Sequence, residues 1–168
     1  CDLILDKTGA GMDYIRQETE KLVSYCQGRD VVTVEDVEKV CATQTTSHIF
    51  DMISAIANKK QQQALDLYYD LLELKEPPMR ILYLIVRQFN GILQVKDLMS
   101  RGISGKEIAS KIGAAPFVVG KYQAQAKYFE MNTLLDALNE CAKTEEAVKQ
   151  GRLNDRLGVE LIIIKYSK

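Results

Sequence analysis

Between Met79 and Met99, the apolar residues Ile81, Leu82, Leu84, Ile85, Val86, Phe89, Ile92 and Leu93 recur at three- and four-residue spacing, with Arg80, Arg87, Asn90, Gln94 and Asp97 as a polar strip. At 3.6 residues per turn this pattern gives a helix whose apolar surface is too wide for one neighbour to cover. Such a helix has to be the centre of a helical core. Its start is fixed by Pro77-Pro78, because a proline ring removes the amide and pushes the preceding residue out of the helical region.

The same spacing recurs on both sides. Met12 to Cys26 places Met12, Ile15, Thr19, Leu22 and Cys26 on one stripe, and Gly28 ends it. Thr33 and Asp36 stand three apart, the arrangement that caps a helix reciprocally, and predict a short helix from about Glu35 to Ala42. The string Thr43-Gln44-Thr45-Thr46-Ser47 reads as a linker, since such side chains compete with the helix for backbone bonds. Ile49 to Ala57 and Gln61 to Leu74 form a predicted helical hairpin. Ser104 with Glu107 opens a further helix closed by Gly113, Pro116 opens one running to about Glu130, Asn132 or Thr133 opens a long one ended by Gly151, and Asn154 caps the last. Apart from Val31 to Val34 no alternating run is present, so the expected fold class is all-α: a short helical remnant, residues 1–43, followed by a multi-helix bundle, residues 48–168.

Charge narrows the function. Lysines and arginines number 22 and acids 23, a formal net charge of -1, so no overall field draws the chain to nucleic acid or anionic lipid. Nucleic-acid contact would have to be local or shared with a partner. No apolar run reaches the roughly 18 residues of a membrane span, and Cys1-Asp2-Leu3-Ile4-Leu5 has neither a basic leader nor a cleavage site. The expectation is a soluble, cytoplasmic chain with no membrane contact. Cys1, Cys26, Cys41 and Cys141 lie too far apart for metal spacing in a chain with one histidine, and read as reduced, partly buried thiols. A cysteine in first place, inside what reads as a structural element, leads us to expect an excised piece of a longer protein.

Candidate chemistry is sparse. The nearest approach to a phosphate-cradling loop is Gly105-Lys106, but Ser100 stands in place of the first glycine and Glu107 in place of the hydroxyl. His48 is expected at a helix start, capping or facing solvent. The pairs Glu145-Glu146 and Glu18 with Glu20 read as solvated helix faces. No catalytic residue, cofactor or metal site is predicted. Ser104 to Gly113 followed by Pro116 to Gln125 has the outline of a helix-turn-helix, the alternative reading being a stand-alone DNA-binding domain. Its second helix begins Phe117-Val118-Val119-Gly120, apolar where a base reader presents Arg, Lys, Asn or Gln.

Thr8-Gly9-Ala10-Gly11-Met12, Gln17 to Leu22, Thr33 to Val37, Ile49 to Ile56 with Ala64-Leu65, Ile81 to Phe89, Glu107-Ile108-Ala109 to Pro116-Phe117, and Ala147 to Gly151 together resemble, in order and spacing, the C-terminal part of the delta subunits of the bacterial DNA polymerase III clamp loader. The resemblance implies that residues 1–43 end the helical lid of an AAA+ module and that residues 48–168 form a collar domain. It implies assembly, through the collar, with the ATPase subunits and delta prime. Contact with the sliding clamp would come only through an N-terminal domain outside this sequence, and primed DNA would be met in the assembled complex. A chain of this kind would be no enzyme itself, although the parent complex is a DNA-directed DNA polymerase holoenzyme. The turn from Lys149 to Arg156 gathers Lys149, Gln150, Arg152, Asn154 and Arg156 around Gly151. With the resemblance, Lys149, Arg152 and Arg156 become the candidate DNA contacts.

Overall fold

The computed structural model describes residues 12–29, 31–40 and 44–168. Cys1, Thr8 to Gly11, Cys41, Ala42 and Thr43 lie outside the described residues. The described residues contain nine helices and no strand: α1 (Met12–Tyr25), α2 (Val34–Val40), α3 (Gln44–Ala57), α4 (Gln61–Glu73), α5 (Pro78–Ser100), α6 (Gly105–Ile112), α7 (Pro116–Ala126), α8 (Met131–Lys149) and α9 (Asp155–Tyr166). The chain divides into two compact units, Cys1–Ser47 and His48–Lys168.

In the first unit α1 packs on α2, and Leu22, Cys26 and Val37 are buried. Thr33 and Asp36 form the reciprocal cap: the Asp36 amide donates to Thr33 Oγ1 (3.3 Å), and the Thr33 amide and hydroxyl donate to Asp36 Oδ2 (2.9 and 2.8 Å). The Arg29 guanidinium reaches the other carboxylate oxygen at 3.0 Å. These hydrogen bonds, the Thr33 amide foremost, hold Asp36 down at about 2 against an ordinary 3.8.

The second unit is organised by α5. Pro77 holds an extended backbone (φ -62, ψ 137) and Pro78 fills the first helical turn, where no amide partner is needed. Ile81, Ile85, Phe89, Ile92 and Val95 are fully excluded from solvent, each side chain contributing about 2 kcal/mol by leaving water. α6, α7, α8 and α9 all pack on this helix, so it is central, as its wide stripe requires.

Four sequence-level expectations differ from the structure. Gln44 to Ser47 are the first helical turn of α3, not a linker. First-turn amides need no intrahelical acceptor, and the burial of Ile49, Phe50, Met52 and Ile53 beyond them rewards a helix already formed. His48 therefore sits inside α3, half-buried, with Nδ1 enclosed and unpaired among the described residues, neither capping nor facing solvent. α7 stops at Ala126, short of Glu130, because the chain turns to bury Phe129, whose ring meets Phe89 edge-on at 5.7 Å. Lys96 seals that end by donating to the Ala126 carbonyl at 2.9 Å. α8 opens at Met131 rather than at Asn132 or Thr133, with Glu130 as an N-cap that makes no side-chain bond.

Candidate nucleic-acid interface

The turn that carries Lys149, Arg152 and Arg156 is built by two local devices. Gly151 takes the left-handed conformation (φ +71), and its amide donates to the Val148 carbonyl while the Arg152 amide donates to the Ala147 carbonyl, both at 2.9 Å. This pair of bonds is the Schellman closure of a helix, which needs a residue without a Cβ at its turning point. Two residues on, Asn154 starts α9 by accepting the Leu157 amide on its side-chain oxygen at 3.1 Å. The backbone is thus fixed from α8 to α9, and the cations project from a rigid corner.

All three cations are exposed, and each faces a carboxylate. Lys149 pairs with Glu145 at 2.5 Å, Arg152 stands 4.0 Å from Glu146, and Arg156 stands 4.0 Å from Glu160. Exposed pairs of this kind contribute at most about 1 kcal/mol each, so an incoming phosphate can displace the carboxylates at little cost. Lys149 also ends α8, where a cation is favoured by the helix dipole. Glu145 and Glu146 are solvated, as their sequence reads, but they are partnered.

Sequence reasoning missed what stands behind Arg156. Its guanidinium lies 5.8 Å from the centre of the Tyr69 ring, and the Tyr69 hydroxyl donates to Glu160 at 3.1 Å. Tyr68, fully buried, donates its hydroxyl to the Arg156 carbonyl at 3.1 Å. Burial, foremost, pushes the Tyr68 phenol well above its ordinary range, so it remains a donor at any physiological pH. Neighbouring tyrosines on α4 therefore clamp the first turn of α9, one through the backbone and one through the side chains.

The helix-turn-helix outline is present as local structure: α6 carries the capping box of Ser104 and Glu107, and Gly113 closes it in the left-handed region (φ +64). α7, however, spends Val119, Tyr122, Gln125 and Ala126 on the core. Gln125 is tied there, donating to the Phe50 carbonyl at 2.9 Å and to Ser54 Oγ at 2.8 Å and accepting from Gln88 at 2.6 Å. A helix held in this way cannot offer that face to a groove. The Gly105-Lys106 segment opens α6 directly after α5, so no strand leads into it. Cys26 and Cys141 are buried free thiols, and burial raises Cys141 to about 12. Among the described residues no cluster of His, Cys, Asp and Glu could hold a metal, and no helix is long and apolar enough to cross a membrane.

Residues 46–166 match the family described as DNA polymerase III delta subunit, C-terminal domain. The chain belongs to the DNA polymerase III delta subunit family. It is similar to the DNA polymerase III subunit delta of Bacillus subtilis (strain 168), 33% identical over 154 residues, which cover 92% of this chain and 44% of the relative. It is similar also to the solved structure of the Bacillus subtilis DNA clamp loader delta protein, with a TM-score of 0.73 at 32% identity, covering 99% of this chain and 49% of the other. The chain therefore spans about half the length of the delta relatives it matches. The match runs across both units, and the sequence-level resemblance to delta subunits stands.

Proposed function

We propose that this chain is the structural and assembly half of a clamp-loader delta subunit, supporting placement of the sliding clamp on primed DNA during replication. The observation that carries this reading is its likeness to the Bacillus subtilis clamp loader delta protein over 99% of its own length at 32% identity. On this reading residues 1–43 end the lid of an AAA+ module, and residues 48–168 are a collar that binds the ATPase subunits and delta prime. Contact with the clamp belongs to the N-terminal half of such a subunit, and the work is done in the cytoplasm without catalysis by this chain. The corner from Lys149 to Arg156 meets the template strand, exchanging its weak carboxylate pairs for phosphates.

Two measurements test the proposal. The tagged chain is expected to retain the ATPase subunits of the same loader in a pulldown. Failure to do so, where full-length delta succeeds, removes the collar role. In the assembled loader, Lys149→Ala and Arg152→Ala should each weaken binding to primed DNA and flatten the salt dependence by roughly 0.7 to 0.9 for every phosphate left without its cation. An unchanged slope with assembly intact confines these residues to finishing α8.

A further inference from the structure

The exposed ridge of α5 carries cations, a tyrosine and amides but no carboxylate of its own. Arg80, Tyr83, Arg87, Asn90 and Gln94 follow one another along it and are all exposed, Tyr83 at 64%. At 1.5 Å per residue the ridge is roughly 21 Å long. Although acids slightly outnumber bases overall, α5 has no carboxylate before Asp97, while Arg80, Arg87 and Lys96 supply positive charge. α7, packed on the flank of α5, has no carboxylate either and adds Lys121.

The members of the ridge are also unequally engaged. Arg80 is paired with Glu76 at 3.3 Å, which anchors one end. Arg87 makes no ion pair, and Tyr83 no hydrogen bond or ring contact, among the described residues. A phenol ring and a guanidinium one helical turn apart, the guanidinium in no ion pair though its charge reaches the Tyr122 phenol, are followed by amide side chains that can donate and accept. The core of a protein interface is rich in apolar side chains, and this ridge has no aliphatic member. A stacking ring flanked by cations, with Glu76 already held by Arg80 at one end and the first carboxylate of α5 itself beyond Gln94 at Asp97, matches what holds single strands without regard to sequence.

We propose that the α5 ridge is a binding surface for single-stranded nucleic acid, in which Tyr83 stacks on a base and Arg87, with Arg80 behind it, takes the phosphates on either side. The ridge shares no residue with the α8–α9 corner, and its proposed role does not depend on the role given to that corner.

The test is binding of a fluorescently labelled oligothymidylate to the full chain, followed by anisotropy at two or more salt concentrations. Tyr83→Ala should weaken binding about tenfold with the salt slope unchanged, since stacking releases no counterions. Tyr83→Phe should bind like the parent. Arg87→Gln should flatten the slope by about 0.7, one phosphate on a single strand. Both residues are exposed, so thermal midpoints should not move, and a variant that shifts its midpoint is replaced by Tyr83→Leu or Arg87→Met. The proposal is overturned if the parent chain does not bind the oligonucleotide at low salt, or if neither Tyr83→Ala nor Arg87→Gln alters binding. It is overturned equally if these substitutions leave DNA binding intact and abolish retention of the ATPase subunits, which would make the ridge a protein interface.

Discussion

Replacing Gln125 by leucine tests whether a buried amide pair holds three helices in register. Gln88 on α5 and Gln125 on α7 are 4% and 6% exposed, far inside the core for residues of their kind. Gln125 accepts from Gln88 at 2.6 Å and donates to α3 at Phe50 and Ser54. Leucine has nearly the volume of glutamine, so no large cavity follows and the cost is almost wholly polar. The α3 groups stay satisfied, because the Ser54 hydroxyl still donates to the Phe50 carbonyl at 2.9 Å. The Gln88 amide loses its acceptor, and a buried donor left unpaired costs about 1–3 kcal/mol. The two donations to α3 add about 1 kcal/mol each, offset in part by the apolar gain of leucine. The expected loss is about 2–4 kcal/mol, which lowers the melting midpoint by roughly 2–4 °C for each kcal/mol in a chain of this length. In Gln88→Leu/Gln125→Leu no donor is orphaned, so at least half of the loss should return. Urea melts of the parent, both single variants and the double variant measure the coupling directly. If the double variant loses the sum of the two single effects, with an unchanged m value, the pair is not a unit and the reasoning is wrong.

Two further outcomes are expected. A Cβ at Gly91 would lie 2.6 Å from the Tyr122 ring, whereas one at Gly120 meets nothing within 4 Å, so Gly91→Ala should destabilise by about 1–2 kcal/mol while Gly120→Ala stabilises by about 0.5–1 kcal/mol; equal effects in thermal melts would remove the close approach as their cause. Asp36 is depressed to about 2 from 3.8, so its contribution to the first unit is complete above about pH 4 and is lost as the pH falls toward 2. A carboxyl titration followed by NMR should have its midpoint near 2, and a midpoint near 3.8 would mean that the cap with Thr33 does not persist in solution.

Much of the fold was legible because its punctuation is local. Thr33 with Asp36, Ser104 with Glu107, Asn154, Pro78, Pro116, Gly113 and Gly151 each act within one turn of where they stand. The centrality of α5 could be read from the width of its stripe. What escaped depends on residues distant in sequence. Gln88 lies among apolar neighbours and gives no sign of a partner 37 residues away. The end of α7 is decided by the pocket that Phe89 offers Phe129, and no terminator marks it. At the α8–α9 corner the cations were visible, but the tyrosines behind them were not, because Tyr69 and Glu160 are 91 residues apart. The start of α3 misled because its Thr and Ser residues can begin a helix as readily as interrupt one.

The close approach of Gly91 and Tyr122 also bears on how this family can vary. The Tyr122 ring occupies the space that any side chain at position 91 would take, at 2.6, 2.7 and 2.9 Å from where its Cβ would stand. A lineage that acquires a side chain at 91 has to shorten residue 122 or move α7 outward, and moving α7 would pull Gln125 away from Gln88 and Phe50. Positions 91 and 122 should therefore change together across delta subunits or not at all, with 88 and 125 following as a second linked pair.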